Sequence, residues 1–403
     1  MQSSVVLNTV IIVIASAVAA YLAFSKRLKQ SSSWKATVTP LASIMGSGFL
    51  ISAPLLANTV GNYAVLCMVA LLLIAYAVGH AIRFNIRHFE PIEHQQGTAQ
   101  NVAFLSRIVL AAAYFISVTY YLQLLAAFVL NAVGVSGDVY ANIITTALLV
   151  AIGGIGMWRG LDELEKIETY AVSLNLGMIV GLLFALCAYN IHLLLGGEWR
   201  LPDMSSEINL HDFRVLLGLL IVVQGFETSR YLQDEHSADE RIQTMRRAQI
   251  ISAVIYVMFI SLSTVLFHSG LDADVTAITN IMLPVAVVLP ILISIAAVGS
   301  QFSAAVADTS GAGGLVQDIV QHKLSIRYVY LIIMVVTIIL TWATNVNEII
   351  AYASRAFALF YFLQSLVASI VAHQQKQTWQ SRFFALISIM CFSVFVFGIP
   401  SGG

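Results

Sequence analysis

Pro40-Leu-Ala-Ser-Ile-Met-Gly-Ser-Gly-Phe-Leu-Ile-Ser-Ala-Pro54 decides how the rest of the chain is read. The stretch lies in an apolar run long enough to cross a bilayer. Gly46, Ser47 and Gly48 stand near its middle, a poor composition for a continuous helix. A break exposed to lipid would strand backbone N–H and C=O groups in hydrocarbon. A break here must therefore be buried in protein or line a polar cavity. Two readings follow. Either the helix is interrupted and its free amides face an anionic group, or the two glycines let a neighbouring helix pack closely.

Working outward, composition sets the class. The chain has 403 residues, 59% hydrophobic and only 10% charged, with a mean hydropathy of +0.86. That balance demands many apolar spans near 20 residues. Cys67, Cys187 and Cys391 all sit inside such spans and read as packing residues, not as a disulfide or metal framework. The N-terminal apolar run is too long for a signal peptide and reads as a retained helix.

Twelve spans are predicted: a lead-in span over about 5–24, then eleven core spans over about 38–58, 62–86, 103–133, 139–158, 167–195, 212–232, 245–268, 280–307, 326–343, 346–372 and 379–399. The division is a lead-in helix with its loop (1–37), a first five-helix unit (38–195), an extracytoplasmic loop (196–211), a second five-helix unit (212–372) and an additional helix (373–403).

Lysine and arginine orient the spans. With the N-terminus outside, 17 of the 20 cations fall on inside loops and flanks. Only Arg200 and Arg214 lie outside, and Arg355 lies within the tenth core span. Both termini are thus expected outside the cytoplasm, in a bacterial-type plasma membrane. The first and sixth core spans, the leading members of two oppositely directed five-span units, each carry an interruption. One is Gly46-Ser47-Gly48 and the other Gln224-Gly225-Phe226-Glu227. Paired interruptions are the best sequence pointer to a solute site at the membrane midplane.

These residues resemble a known family. Met45–Pro54 is similar to the first-helix G-S-G-x-F…P signature of the amino acid–polyamine–organocation (APC) superfamily. Val223–Leu232, the acidic turn Gln233-Asp234-Glu235 and the stretch to Arg247 look like its sixth helix and following loop. Arg159-Gly160-Leu161…Lys166 is similar to the loop before its fifth helix. Ala296–Ile319, with Gly299-Ser300-Gln301-Phe302-Ser303, and the lead-in helix resemble the solute:sodium symporters instead. The resemblance covers about residues 38–371. It implies an all-α polytopic protein with the LeuT-type five-plus-five inverted repeat, and it implies a secondary transporter.

The resemblance also implies roles. The backbone around Gly46, Ser47, Gly48 and Phe49 would receive a carboxylate or another anionic group at a half-helix N-terminus. Gln224, Gly225, Phe226 and Glu227 would supply the facing half, with Phe226 as an aromatic wall or ordinary packing. Glu227 is costly to bury in a bilayer. Desolvation would favour its protonated form and suit it to carry a proton, while a salt bridge to Arg230 or Arg355, or a structural hydrogen bond, stands as the alternative. Arg355 reads as a gate, a partner for Glu227 or a snorkelling cation. A sodium site would combine carbonyls near Ala42 and Met45 with Ser300, Gln301 and Ser303, oxygen donors that a hard cation prefers. Asp308 reads as a solvated helix end.

Tyr114, Tyr120 and Tyr121 could line a cavity or pack. His80, His192 and His268 lack metal-ligand spacing, and Glu163, Glu165, Lys166 and Glu168 read as a solvated turn. No H-E-x-x-H, Walker-type loop or basic–aromatic stripe is present. The expectation is therefore neither an enzyme nor a nucleic-acid binder, with no cofactor beyond a proton or Na+ as coupling ion. Its partners would be a small-molecule solute and membrane lipids. The favoured cargo is an amino acid or related carboxylate-bearing solute moved with a proton. Sodium coupling, a monovalent-cation cargo or a transporter-like sensor are the alternatives.

Overall fold

The computed structural model describes residues 2–135, 137–204, 208–233, 236–268, 271 and 274–400, without the side chains of residues 2–4, 47 and 162–169. The Asp234-Glu235 turn thus lies outside the described residues, as do the side chains of Glu163, Glu165, Lys166 and Glu168. The described chain is helical throughout: α1 Gln2–Phe24, α2 Ser32–Val60, α3 Ala64–His88, α4 Thr98–Ala132, α5 Asp138–Arg159 and α6 Asp162–Gly196 come first. Then come α7 Leu210–Gly218, α8 Ala238–Ser263, α9 Leu289–Ile319, α10 Ile326–Ala343, α11 Val346–Gln374 and α12 Thr378–Phe397. Helices dominate because hydrocarbon offers no partner for backbone polar groups, so each span must bond within itself.

Ten stretches of the described chain are long and apolar enough to cross a membrane. One of them, Ser32–His88, is two helices joined by a short 3-10 turn at Gly61–Tyr63. The span that opens with α7 is interrupted and falls outside that set, which reconciles it with the twelve spans expected. Local chemistry sets the ends. Ser31 accepts from Trp34 N (3.2 Å) at the start of α2. Asn209 and Asp212 form a capping box on α7, as Asn345 and Glu348 do on α11. Ser237 caps α8, which begins at Ala238, seven residues ahead of the expected start at 245. Near the eighth core span a five-residue helix, Ile278–Met282, stands apart from α9. Pro284 lies between the two helices and Pro290 in the first turn of α9, positions where a residue without an N–H is tolerated. Helix α9 then runs twelve residues past the expected end at 307.

The packing follows the five-plus-five plan. Helix α2 packs on α8, and the interrupted span packs on α3. The contact of α4 with α11 has its counterpart in α9 with α6. The pairs α3–α8, α4–α9 and α5–α10 are each their own counterparts. Helix α1 lies on α6, where a Cβ on Gly177 would come within 2.5 Å of the Ala15 carbonyl. Helix α12 lies on α11.

Candidate solute site

Two backbones cross at the centre. Past α7, the chain makes a 3-10 turn over Leu220–Val223, opens at Gln224-Gly225 and turns again over Phe226–Tyr231. Gly225 has φ +115°, a conformation that disfavours any side chain. A Cβ there would also lie 2.5 Å from Ser43 Oγ of α2. The interruption expected at Gln224–Glu227 is therefore present.

The one expected at Gly46-Ser47-Gly48 is not. Helix α2 is continuous from Ser32 to Val60. Gly48 is a packing residue: a Cβ on it would sit 2.4 Å from Val222 Cα. The second of the two sequence readings describes this helix. Continuity is physically reasonable, because glycine costs a helix only about 1 kcal/mol, whereas each backbone group left unpaired in hydrocarbon costs several.

Three of the freed backbone groups of the interruption find partners inside the protein. Ser354 Oγ accepts from Ile221 N at 2.9 Å. Tyr256 Oη lies within reach of the Val222 carbonyl and of the Ile44 carbonyl on α2, the latter at 3.1 Å. Glu227 accepts from Gly225 N (3.0 Å) and from Tyr361 Oη (2.8 Å). It is 1% exposed. The group seated on the free amide of the break is thus the chain's own carboxyl. Phe226 stacks on Tyr361 with ring centroids 5.3 Å apart, and Gln224 donates to Tyr121 Oη at 3.1 Å.

Neither proposed cation meets Glu227. Arg230 donates to Gln364 Oε1 and lies over the Phe89 ring. Arg355 donates to the Phe395 carbonyl at 2.7 Å and lies over that residue's ring. The pairing readings are corrected accordingly: the end of α12 supplies Arg355 with a carbonyl and an aromatic face.

A cavity of about 360 Å³ lies beside the crossing, in the half of the bundle towards the lysine- and arginine-rich loops. Its walls include Thr39 and Ser43 of α2, Tyr114 of α4, Asn175 of α6, Thr228 and Tyr231 beyond the break, and Ser303 and Asp308 of α9. Asp308 is buried, accepts from Ser117 Oγ of α4, and is the only charged side chain in the described lining. Because α9 continues to Ile319, Asp308 is an interior residue and not the solvated helix end that the sequence suggested.

The candidate sodium ligands are divided. Ala42, Ser300 and Ser303 reach this cavity. Met45 is buried and does not line it. Gln301 donates its amide to the Gly46 carbonyl at 2.9 Å, so that amide braces α2 against α9. Phe49 packs on Tyr256 and Phe259. The backbone of Ser47 is helical. Thr39, Ser43, Asn175 and Thr228 were not singled out in the sequence. Polar residues on lipid-length helices were the available signal.

The model for APC superfamily transporters matches residues 26–398. An uncharacterised protein of Aquifex aeolicus (strain VF5) is 42% identical over 388 residues, covering 94% of each chain. The fold is similar to a mutant Eremococcus coleocola manganese transporter (TM-score 0.59, 12% identity, 92% of this chain and 88% of that one). It is also similar to the same organism's transporter in complex with an aromatic bis-isothiourea substituted compound (TM-score 0.56, 13% identity, the same coverage). With a family match over nearly the whole length and a fold of this kind, the chain belongs to the APC superfamily of transporters.

Proposed function

We propose that this transporter is a secondary one, whose solute carries a positively charged nitrogen recognised at Asp308. The observation that carries the reading is the cavity itself, whose wall brings the Asp308 carboxylate together with the Asn175 amide and several hydroxyls inside an apolar bundle. A carboxylate on the wall of a membrane-embedded cavity is a functional group by default, and its charge attracts a positively charged group. The space, about 360 Å³, suits a small organic amine or an amino acid held by its ammonium group. A carboxylate held by free amides has less support. The amides around Gly46–Gly48 belong to a continuous helix, and Gly225 N is occupied by Glu227.

Glu227 is the proposed proton carrier. It is buried at the interruption, it accepts from the Gly225 amide and the Tyr361 phenol, and neither Arg230 nor Arg355 pairs with it. A sodium-coupled or monovalent-cation reading is favoured by one further feature: the hydroxyls of Ser43, Ser300 and Ser303 reach the same cavity as Asp308. The basic face is proposed to be cytoplasmic, with both termini outside.

Thermal-shift titration of the purified protein tests the cargo. Small amines and amino acids should stabilise the wild type, while carboxylic acids without an amine should not. Asp308→Asn should abolish the shift. Equal stabilisation by amine-free acids, or an unchanged response in Asp308→Asn, would overturn the reading. Stabilisation by Na+ or K+ alone, lost in Ser300→Ala, would favour the cation reading.

A further inference from the structure

Between α1 and α2 the chain reads Lys26-Arg27-Leu28-Lys29-Gln30-Ser31-Ser32-Ser33-Trp34-Lys35, four cations in ten residues without an acidic one. The structure wraps this segment round a second cavity, of about 590 Å³, at the basic face. Lys29 and Lys35 line it together with Trp34, Tyr170, Leu22 and Val38. Both lysines are exposed, and among the described residues neither has a carboxylate within ion-pair distance. The Lys29 ammonium lies 5.6 Å from the centre of the Phe24 ring, which in turn meets the Tyr170 ring at 6.1 Å. Arg247 of α8 donates to Ser33 Oγ at 2.8 Å and adds a cation nearby.

We propose that this cavity binds the headgroup of an anionic phospholipid. The phosphate meets Lys29 and Lys35, and the acyl chains run along the apolar side of Leu22 and Val38. Three features point to that occupant. The pocket stands at the end of a membrane-length helix, where lipid headgroups lie. Its polar wall is cationic, and its other wall is apolar. Trp34 and Tyr170 are the amphipathic aromatics that prefer the headgroup level. Basic segments next to a membrane helix attract anionic lipid at about the strength of several-fold per cation.

The site is separate from the solute cavity but adjoins it. Thr39 lines both. A bound headgroup would therefore brace the N-terminal half of α2, whose other side walls the solute site. The inference does not depend on what the solute is.

Trp34 supplies the measurement. The protein is placed in nanodiscs of phosphatidylcholine containing a small fraction of brominated phosphatidylglycerol or brominated phosphatidylcholine. Quenching of Trp34 is taken as the difference between wild type and Trp34→Phe. The wild type should prefer the brominated phosphatidylglycerol on the order of tenfold, and Lys29→Gln/Lys35→Gln should bring the preference to about one. Quenching by brominated phosphatidylcholine persists in a folded variant, so loss of fold is recognised separately. Lys323→Gln/Arg327→Gln removes two cations elsewhere and should keep the preference. A wild type without preference, a double variant that retains it, or an equal loss in the Lys323/Arg327 pair would each overturn the site. The last result would assign the effect to diffuse surface charge.

Discussion

Glu227 and Asp308 are both buried carboxylates, yet they face different partners. Glu227 is turned onto the interruption by an amide and a phenol, whereas Asp308 faces the cavity with a hydroxyl beside it. Their variants should separate accordingly. Glu227→Gln should leave solute binding and exchange intact and abolish uphill uptake driven by a pH gradient in proteoliposomes; pH-driven accumulation that survives would remove Glu227 from coupling. Tyr361→Phe deletes one of the two donors and should lower stability by about 1–3 kcal/mol, read from a denaturation midpoint, if that hydrogen bond is made to a charged group. The sequence made Glu227 legible, because a carboxylate beside Gly225 in an apolar span is unusual. Asp308 was misread because Asp308-Thr309-Ser310-Gly311 has the composition of a helix end. The continuation of α9 to Ile319 and the position of α4, with Ser117 against it, make that carboxylate an interior group.

At the scale of elements, the two glycine sites differ in kind. Gly225 takes a backbone conformation that side chains rarely adopt; Gly48 has an ordinary helical backbone and a neighbour where its Cβ would be. Gly48→Ala should therefore reduce thermal stability by about 1–3 kcal/mol through overpacking against Val222. Gly46→Ala should be milder, since its nearest neighbour is Ser300 Oγ at 3.3 Å. A Gly48→Ala protein of unchanged stability that has lost solute binding would restore the interrupted-helix reading of α2. Periodicity and length gave most spans to within a few residues. Whether a Gly-Ser-Gly triplet breaks a helix or seats a neighbour was decided by the approach of Val222, a contact 174 residues away that no local pattern encodes. The same holds for Arg241, which pairs with Glu90 at 2.7 and 3.0 Å and donates to the Arg230 carbonyl at 2.8 Å. Removing it would leave a nearly buried carboxylate unpaired, and Arg241→Ala should cost about 3–5 kcal/mol in the same denaturation measurement.

At the scale of the whole molecule, the 17-to-2 division of cations predicts sidedness. On a background with Cys67, Cys187 and Cys391 replaced by serine, Glu198→Cys should react with impermeant thiol reagents in intact cells. Gln233→Cys should react only after permeabilisation. The reverse pattern would invert the proposed orientation while leaving the fold as it is.

The interrupted span is also held at both of its ends. Near α7, Ile399 N donates to the Arg214 carbonyl (3.1 Å), Arg214 Nε donates to the Phe397 carbonyl (3.1 Å), and Gly218 is pressed against the Ile399 carbonyl. At the other end, Arg241 holds the Arg230 carbonyl, and Arg230 itself reaches Gln364 of α11. A rod clamped at both ends cannot swing as a lever. Its remaining freedom is to twist or shorten in the middle, and the middle is Gln224-Gly225, where the hydrogen-bond ladder is already open. The motion to be expected of this span is that of a crankshaft, in which Glu227 and Thr228 would turn about a fixed axis and the carboxyl would exchange one set of neighbours for another without either anchor letting go.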